Sequence, residues 1–356
     1  MKIRVAELND LKAIKELLTR NGFGAINLEK KFLESSLDVD TKAPFGWVIE
    51  EKNKSLKGVL LNFIINYHYK GSVYKAAVAS TWVVEKNFRS LSIPIFLKYL
   101  NQKNIDVFID STATSEVGKI LKSLKFNQVP KKNYASLFWI TNYQGFARSL
   151  IRKYLINSMV LSKILTAPIA ILDYLILKKS LLGRKSHLQE TSLNQEKFDT
   201  FWSSIKKGNE FLANRDFNSL NWRFNKGLDE KNMHLFCQYK DGLLIGYVFT
   251  RRLVIKENGS RKLQICDYQI LPEFTYLINS LLSHVLLLAK EKKYDLVEYI
   301  GDSDLNKMQD FSKKPLVREF DHCPFYYKIN NDELKKLMNK QTIWSKSLFD
   351  GDGCLR

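Results

Sequence analysis

Apolar and polar residues alternate over residues 2–7; from Asn9-Asp10, a pair suited to capping a helix, the period lengthens until Leu11, Ile14, Leu17 and Leu18 share one face. The pattern predicts a strand followed by an amphipathic helix. Beyond a polar stretch rich in turn formers come three strand-like runs, GWVIEE (46–51), GVLLNFIINYHY (58–69) and YKAAVASTWVV (74–84). Asn53-Lys54 and Lys70-Gly71 separate them with turn chemistry, which predicts three consecutive antiparallel strands. The apolar run then breaks at Arg89-Ser90-Leu91-Ser92 and resumes at helical spacing behind Pro94. IDVFID (105–110), a helix through SEVGKILKSLKF and late strands in NQVPKKN and ASLFWIT complete a first unit.

From about residue 190 the same order returns without clear residue identity: a helix at 193–206, RDFNSLNWRF (215–224), and strands at HLFCQYKD, LLIGYVFTRRLVI and KLQICDYQIL. A helix at 273–291, a strand at YDLVEYIG, a short helix and a last strand at FYYKI follow. A duplicated architecture is the expectation. Between the halves, residues 144–187 carry long apolar runs with clustered bases and one acid, Asp173. Their longest apolar window, 154–177, holds Asn157, Lys163, Pro168 and Asp173, which argues against a membrane span and for two amphipathic helices broken at Ala167-Pro168. Arg148, Arg152, Lys153, Lys178, Lys179, Arg184 and Lys185 bracket the segment. That pattern suits lying on an anionic membrane surface; it equally suits a hairpin buried between the halves, and both readings stand.

Length and composition sharpen this picture. A chain of 356 residues exceeds one ordinary core and fits two domains of about 150 residues. Expected boundaries are 1–143 and 190–330 for the domains, 144–189 for the helical linker and 331–356 for a C-terminal helix and tail. With 45% hydrophobic residues the chain has material for two cores, which excludes disorder as its main state. A formal net charge of +19 favours anionic partners such as phosphates, nucleic acid or acidic lipid headgroups, and equally reflects lysine-heavy composition. Cys237, Cys266, Cys323 and Cys354 lie far apart without a CxxC pair, so neither a zinc site nor a disulfide framework is indicated. They fit a reducing cytoplasm, and MKIRVAELNDLKAIKELL reads as strand and helix rather than signal peptide. The expected location is cytoplasmic, with peripheral contact on the inner face of the membrane under the first reading of 144–187.

The chemistry is expected at residues 80–100, STWVVEKNFRSLSIPIFLKYL. A strand delivering the chain into a small-residue turn at a helix N-terminus makes an anion site from unpaired N–H groups and the positive end of the helix dipole. Proline in the first helical turn loses only an N–H without an intrahelical partner, so Pro94 marks the start of the helix.

The order of elements, together with Val83–Pro94, resembles the GNAT (Gcn5-related N-acetyltransferase) superfamily, whose pyrophosphate loop reads [Gln/Arg]-x-x-Gly-x-[Gly/Ala]. The matching positions here are Arg89, Ser92 and Pro94, so the first is kept and both glycines are replaced. The helix ending in LKSLKF resembles the family's Leu-Tyr-x-x-Leu-Gly-Phe; aligned on Phe126, the tyrosine falls on Leu121 and the glycine on Lys125. The resemblance implies an α/β (α+β) fold class of two tandem GNAT-like domains, each a mixed, mainly antiparallel sheet flanked by helices. It also implies direct acyl transfer from acetyl-CoA or another acyl-CoA, without a metal, to an amine whose proton needs a general base and whose thioester oxygen needs a backbone donor.

By the same resemblance, Trp82, Val83 and Val84 pair with pantetheine, while Arg89, Ser90, Leu91, Ser92, Ile93 and Pro94 hold pyrophosphate, with Arg89 adding a charge-assisted contact or serving only as a surface residue at a cap. Candidate bases are Asp110 first, then His68 and Glu85; each has a bland alternative, Asp110 as a helix cap above all. The second copy, DYQILPEFTYLINSLL, has no glycine pair and is not expected to bind coenzyme A. Its Arg215, Asp216, Asn221, Trp222 and Arg223 are candidates to grip a sugar or its phosphate, while Phe217, Leu220, Trp222 and Phe224 suit a core. Asp350 and Asp352 in FDGDG fall short of a calcium loop and read as a tail folding back onto the cleft. RDFNSLNWRF and WSKSLFDGDG also resemble tandem GNAT proteins of bacterial surface-polysaccharide synthesis, implying as acceptor an amino sugar linked to a nucleotide or lipid carrier. An aminoacyl-tRNA-dependent transferase of the FemABX type is the alternative, and only there is nucleic acid, as tRNA, expected; a third is a membrane-associated GNAT-fold protein without catalysis.

Overall fold

The computed structural model describes residues 1–23, 43–129, 135–156, 158–171, 173, 188–301, 314–318, 324–338 and 344–354. Cys323 and the bases Lys178, Lys179, Arg184 and Lys185 lie outside the described residues.

The first sheet opens with β1 (Lys2–Val5), β2 (Gly46–Glu50), β3 (Leu56–Tyr69) and β4 (Ser72–Val84), all antiparallel. Lys70 and Gly71, at φ 50° and 83°, form the two-residue hairpin that matches strand twist, and Asp241-Gly242 repeats it in the second half at φ 50° and 80°. Helix α1 (Leu11–Arg20) buries Ile14, Leu17 and Leu18 against one face. Helix α2 (Ser92–Leu100) crosses the other face to β5 (Val107–Asp110), parallel to β4. Helix α3 (Ser115–Ser123) leads to β6 (Asn127–Gln128).

The chain then leaves its own sheet. β7 (Ala135–Ile140) pairs with β13 (Leu296–Gly301) in the second sheet, and β15 (Tyr326–Ile329) enters the first sheet between β5 and β6. Each sheet therefore holds a strand from the other half. The first sheet runs β1-β2-β3-β4-β5-β15-β6; the second runs β14 (Leu316–Arg318)-β7-β13-β12 (Arg261–Ile270)-β11 (Leu243–Val254)-β10 (Met233–Lys240)-β8 (Gln189–Glu190). β9 (Leu212–Ala213) from the second half adds to β3. Gly118 on α3 lies where any Cβ would run into the Tyr326 hydroxyl and ring, so the exchanged strand sits this close only over glycine.

Helices α6 (Gln195–Ile205), α7 (Phe217–Asp229) and α8 (Ile278–Glu291) pack on the second sheet, and α9 (Asp332–Met338) follows β15. One apolar cluster joins residues of both halves, from Phe63 and Tyr67 through Phe211 and Phe224 to Phe325, Trp344 and Phe349. Between the halves, α4 (Tyr143–Tyr154) gives way to α5 (Met159–Leu165), which Ser158 caps through Leu161 N–H at 3.4 Å, and the helix breaks again at the expected Ala167-Pro168, where residues 166–168 form a turn before helix resumes at Ile169. Among the described residues no helix is long and apolar enough to cross a membrane.

Candidate active site

Strands β4 and β5 pair over three positions, Ala76–Val78 against Val107–Ile109, and then part. Tyr99 of α2 sits where they separate. Its hydroxyl donates to Ala77 O at 2.6 Å and Ile109 O at 3.1 Å and accepts from Ile109 N at 3.2 Å. Burial, then the nearby Asp110 charge, pushes this phenol well above its usual pKa, so it stays neutral and bridges the two strands. Just beyond, β4 bulges: Leu60 faces Trp82 and Leu61 faces Ser80, leaving Thr81 unmatched at φ 51°. A β-branched residue held in the left-handed region costs of order 1–3 kcal/mol, the kind of strain that marks functional backbone.

The C-terminal tail closes across this parting. The buried Asp352 carboxylate accepts from Ser80 Oγ at 3.2 Å, Ser111 Oγ at 3.1 Å and Thr112 Oγ1 at 2.8 Å, and its own N–H donates to Ser111 Oγ at 3.2 Å. Ser80 comes from β4 and the other two follow β5, so one carboxylate spans both strands. Gly351 lies directly against Ser111, where a side chain would collide.

A buried ionic network from the second half holds the tail. Arg215 donates to Asp267 through Nε and Nη2 and to Asp350 through Nη2, at 3.0 Å for the shortest contact to each acid, and to Ala213 O at 2.8 Å. Burial disfavours the charged guanidinium, but Asp267 and then Asp350 outweigh it and hold the pKa well above its usual value. Ser347 and Tyr247 hydroxyls complete the donors to Asp267 at 2.8 and 3.0 Å. Arg223 donates to Gly351 O at 2.7 Å and stacks on Phe349 at 4.3 Å, while Tyr67 donates to Asp350 O at 2.7 Å. Arg251 reaches Gly353 O at 2.9 Å, and Cys354 Sγ lies 3.7 Å from Cys266 O.

The second half repeats the parting without the closure. β12 pairs with β13 from Lys262 to Ile265, bulges at Cys266 between Phe249 and Thr250 of its partner, and runs into a 3-10 turn (Pro272–Leu277) ahead of α8. A cavity of about 660 Å³ opens there, lined among others by Tyr268, Asn279, Tyr299, Glu210, Arg215 and Ser347. Asn279 Oδ1 is buried without a hydrogen-bond partner. Among the described residues no group of three His, Cys, Asp or Glu side chains is placed to hold a metal ion.

No protein-family model matches the sequence, and no curated protein does. Solved structures do match. A GCN5-related N-acetyltransferase from Anabaena variabilis superposes with a TM-score of 0.59 at 10% identity, over 92% of this chain and 72% of that one. A probable N-acyltransferase from Enterococcus faecalis gives 0.57 at 11%, over 92% and 72%. The N-myristoyltransferase of Saccharomyces cerevisiae with bound myristoyl-CoA gives 0.56 at 12%, over 92% and 78%. The chain has the GNAT fold, twice over.

Within this GNAT frame the expected site residues divide. Asp110 ends β5, buried opposite Tyr326, and accepts from Thr112 N at 3.2 Å, as a turn-capping residue does. Glu85 pairs with Arg20 at 2.9 Å and Lys57 at 3.8 Å, toward α1 and β3 rather than the parting. His68 faces Val73, five residues along β3 from the Phe63–Val78 pair, about 17 Å at strand rise. Its ring stands edge-on to Trp202, and burial, then Lys206, lowers its pKa. Trp82 and Val84 lie on the α2 face, Trp82 stacked on Phe96 at 4.6 Å, while Val83 packs toward α1.

Arg89, Ser90 and Leu91 belong to a 3-10 turn, Lys86–Leu91, that runs straight into α2; Ser92 N–H donates to Arg89 O. The turn thus uses an N–H expected to be free for phosphate. Pro94 stands in the first turn of α2 with Ile93 exposed beside it. In the second half, Arg215 and Arg223 bind the tail, Arg215 also lining the cavity, Asp216 caps α7 through Ser219 N at 2.8 Å, and Trp222 packs on Phe63 at 5.6 Å. Asn221 is half-buried on the same helix. Sequence reasoning missed Tyr99, Thr81, Ser80, Ser111 and Thr112; the acids of FDGDG were the signal for Asp352.

Proposed function

We propose that the protein is an acyl-CoA-dependent N-acyltransferase, with the acyl donor along β4 at the first parting and an amino-sugar acceptor entering from the second-half cavity. The observation that carries this reading is the buried Asp352 carboxylate set across β4 and β5 beside the strained Thr81. Acyl transfer to an amine needs a proton acceptor and a donor for the developing oxyanion; Asp352, with its shell of hydroxyls, supplies the first, and backbone N–H groups of the bulged strand supply the second. The amine attacks the thioester carbon, the carbon–sulfur bond breaks, the sulfur leaves with coenzyme A, and the amine proton passes to Asp352 directly or through Ser80, Ser111 or Thr112. Arg89, late in the turn that leads into α2, supplies positive charge for pyrophosphate.

An amino sugar fits the cavity, whose volume is ordinary for a small-molecule site. Tyr268 and Tyr299 line its wall, Asn279 Oδ1 awaits a hydroxyl or amine donor, and the Glu210 carboxyl suits an ammonium. Calorimetric titration with acetyl-CoA and longer acyl-CoAs, followed by coenzyme A release in the presence of amino sugars, tests the reading. Asp352→Asn is expected to lower kcat roughly 100-fold with unchanged affinity for the donor. Failure to bind any acyl-CoA, or wild-type turnover in Asp352→Asn, overturns it; turnover with amines other than sugars overturns the acceptor alone.

A further inference from the structure

Nine of the twenty exposed large apolar side chains among the described residues fall within one short stretch, between Leu150 and Ile171. Tyr154, Leu155, Val160, Ile164, Leu165 and Ile171 are each more than half exposed. A hairpin buried between the halves would have covered them. Apolar side chains scattered singly are normal on a surface, but a cluster of this kind marks a docking face.

Charge identifies the occupant. Residues 144–171 contain no acid, and the exposed Lys153 and Lys163 stand among the apolar side chains, Lys153 with its ammonium 4.8 Å from the Tyr154 ring. The next acid, Asp173, is turned away from this face: its carboxylate caps α4, accepting from Tyr143 N and from Gln144 N at 2.6 Å. That bond also ties Asp173 to the start of the segment. The base is fixed to the second sheet, where Thr141 N and Asn142 N donate to Asp295 O at 3.0 and 3.2 Å. The result is a firmly rooted helical finger with an apolar, purely cationic tip.

We propose that this finger is an interfacial anchor for anionic lipid bilayers, its apolar side chains lying in the acyl boundary and its lysines at the headgroups. Lysine is depleted from protein–protein interface cores but snorkels well at a membrane interface. A second copy of the chain would bring like-charged tips together on molecules that already carry a formal charge of +19. The proposal stands independently of the acyltransferase reading, since it needs neither substrate.

Flotation with vesicles of phosphatidylcholine, alone or mixed roughly two to one with phosphatidylglycerol, tests it without acyl donor present. The wild type is expected to float with the mixed vesicles and remain behind with the neutral ones at physiological salt. Val160→Asp/Ile164→Asp, at exposed positions that leave thermal unfolding unchanged, is expected to reduce partitioning roughly tenfold or more. Lys153→Glu or Lys163→Glu is expected to reduce it roughly fivefold each, with the loss blunted at high salt. No flotation of the wild type, or flotation of the double aspartate variant at wild-type level, overturns the proposal. So does a dimer, seen by light scattering, that the double variant disperses while vesicle binding is absent.

Discussion

Arg215→Ala isolates what holds the tail in place. Arg215, Asp267 and Asp350 have side chains 1%, 0% and 0% exposed, so removing the guanidinium leaves two buried carboxylates with only the hydroxyls of Tyr247 and Ser347 and the Ser347 N–H as neutral donors. Breaking a buried ion pair from one side costs about 3–5 kcal/mol, far above the worth of an exposed pair, because the stranded charge keeps its desolvation penalty. The Phe349 ring also loses one of its two cations, Arg215 at 4.6 Å, and keeps Arg223 at 4.3 Å. About 4 kcal/mol is therefore expected from urea denaturation, leaving a marginally folded protein given ordinary domain stabilities. The tail should be released before the rest, which thiol labelling detects: Cys354 is buried against Cys266 in the wild type and should react in Arg215→Ala, with Cys354→Ser as the control. Replacing all three charges together, Arg215→Met/Asp267→Asn/Asp350→Asn, should recover most of the loss. A change below about 1 kcal/mol with Cys354 still protected would refute the assignment of Arg215 as the tail's anchor.

Three further outcomes follow from the geometry. Thr81→Gly removes a buried side chain yet should leave stability unchanged or raise it by about 1 kcal/mol, because glycine adopts φ 51° without strain; a loss of 2 kcal/mol or more by denaturation would show that no strain was stored there. Gly118→Ala should cost about 1–3 kcal/mol by forcing Tyr326 aside, and Tyr326→Phe in the same chain should restore part of it; additive effects in this double-mutant cycle would argue against the exchanged strand. Arg4 binds Asp10 at 2.7 Å and Glu50 at 3.0 Å, and these hydrogen bonds hold both carboxyls below their usual pKa. The stability they give is present above about pH 4 and lost as pH falls through the lower folded values, so Arg4→Ala should flatten the acid limb of a pH-dependent unfolding curve and leave neutral-pH slopes alone.

Alternation and helical period located the strands and helices, because they report which side of an element is buried. They do not report which sheet an element joins. Tyr326–Ile329 reads as a half-buried strand in either half, and nothing in FYYKI distinguishes pairing with Asp110 from pairing with its own sheet. Gly118 carried that information, but only once Tyr326 was known to lie over it. Composition likewise flagged Arg215 and Arg223 as a charged, aromatic cluster, yet a buried ion network and an exposed anion site use the same residues; burial decides between them. Thr81 was illegible because threonine is at home in strands, and a bulge in the left-handed region leaves no compositional mark.

The strand exchange and the tail are one device. Because β15 lies beside β5, with Tyr326 opposite Asp110 and Ile329 opposite Val107, the chain enters the first sheet next to the parting and leaves it at the other end of β5; a short helix follows, and residues 350–354 return to the parting. An unexchanged second half would have finished its last strand in its own sheet. The tail that results touches both halves within five residues: Asp350 binds Arg215, Gly351 and Asp352 meet Ser111, Gly353 binds Arg251 and Cys354 lies on Cys266. Arg215 and Ser347, which fix Asp350, also line the second-half cavity. The cavity wall and the anchor of Asp350 thus share two residues, which places the proposed acceptor site and the proposed base Asp352 on one connected network.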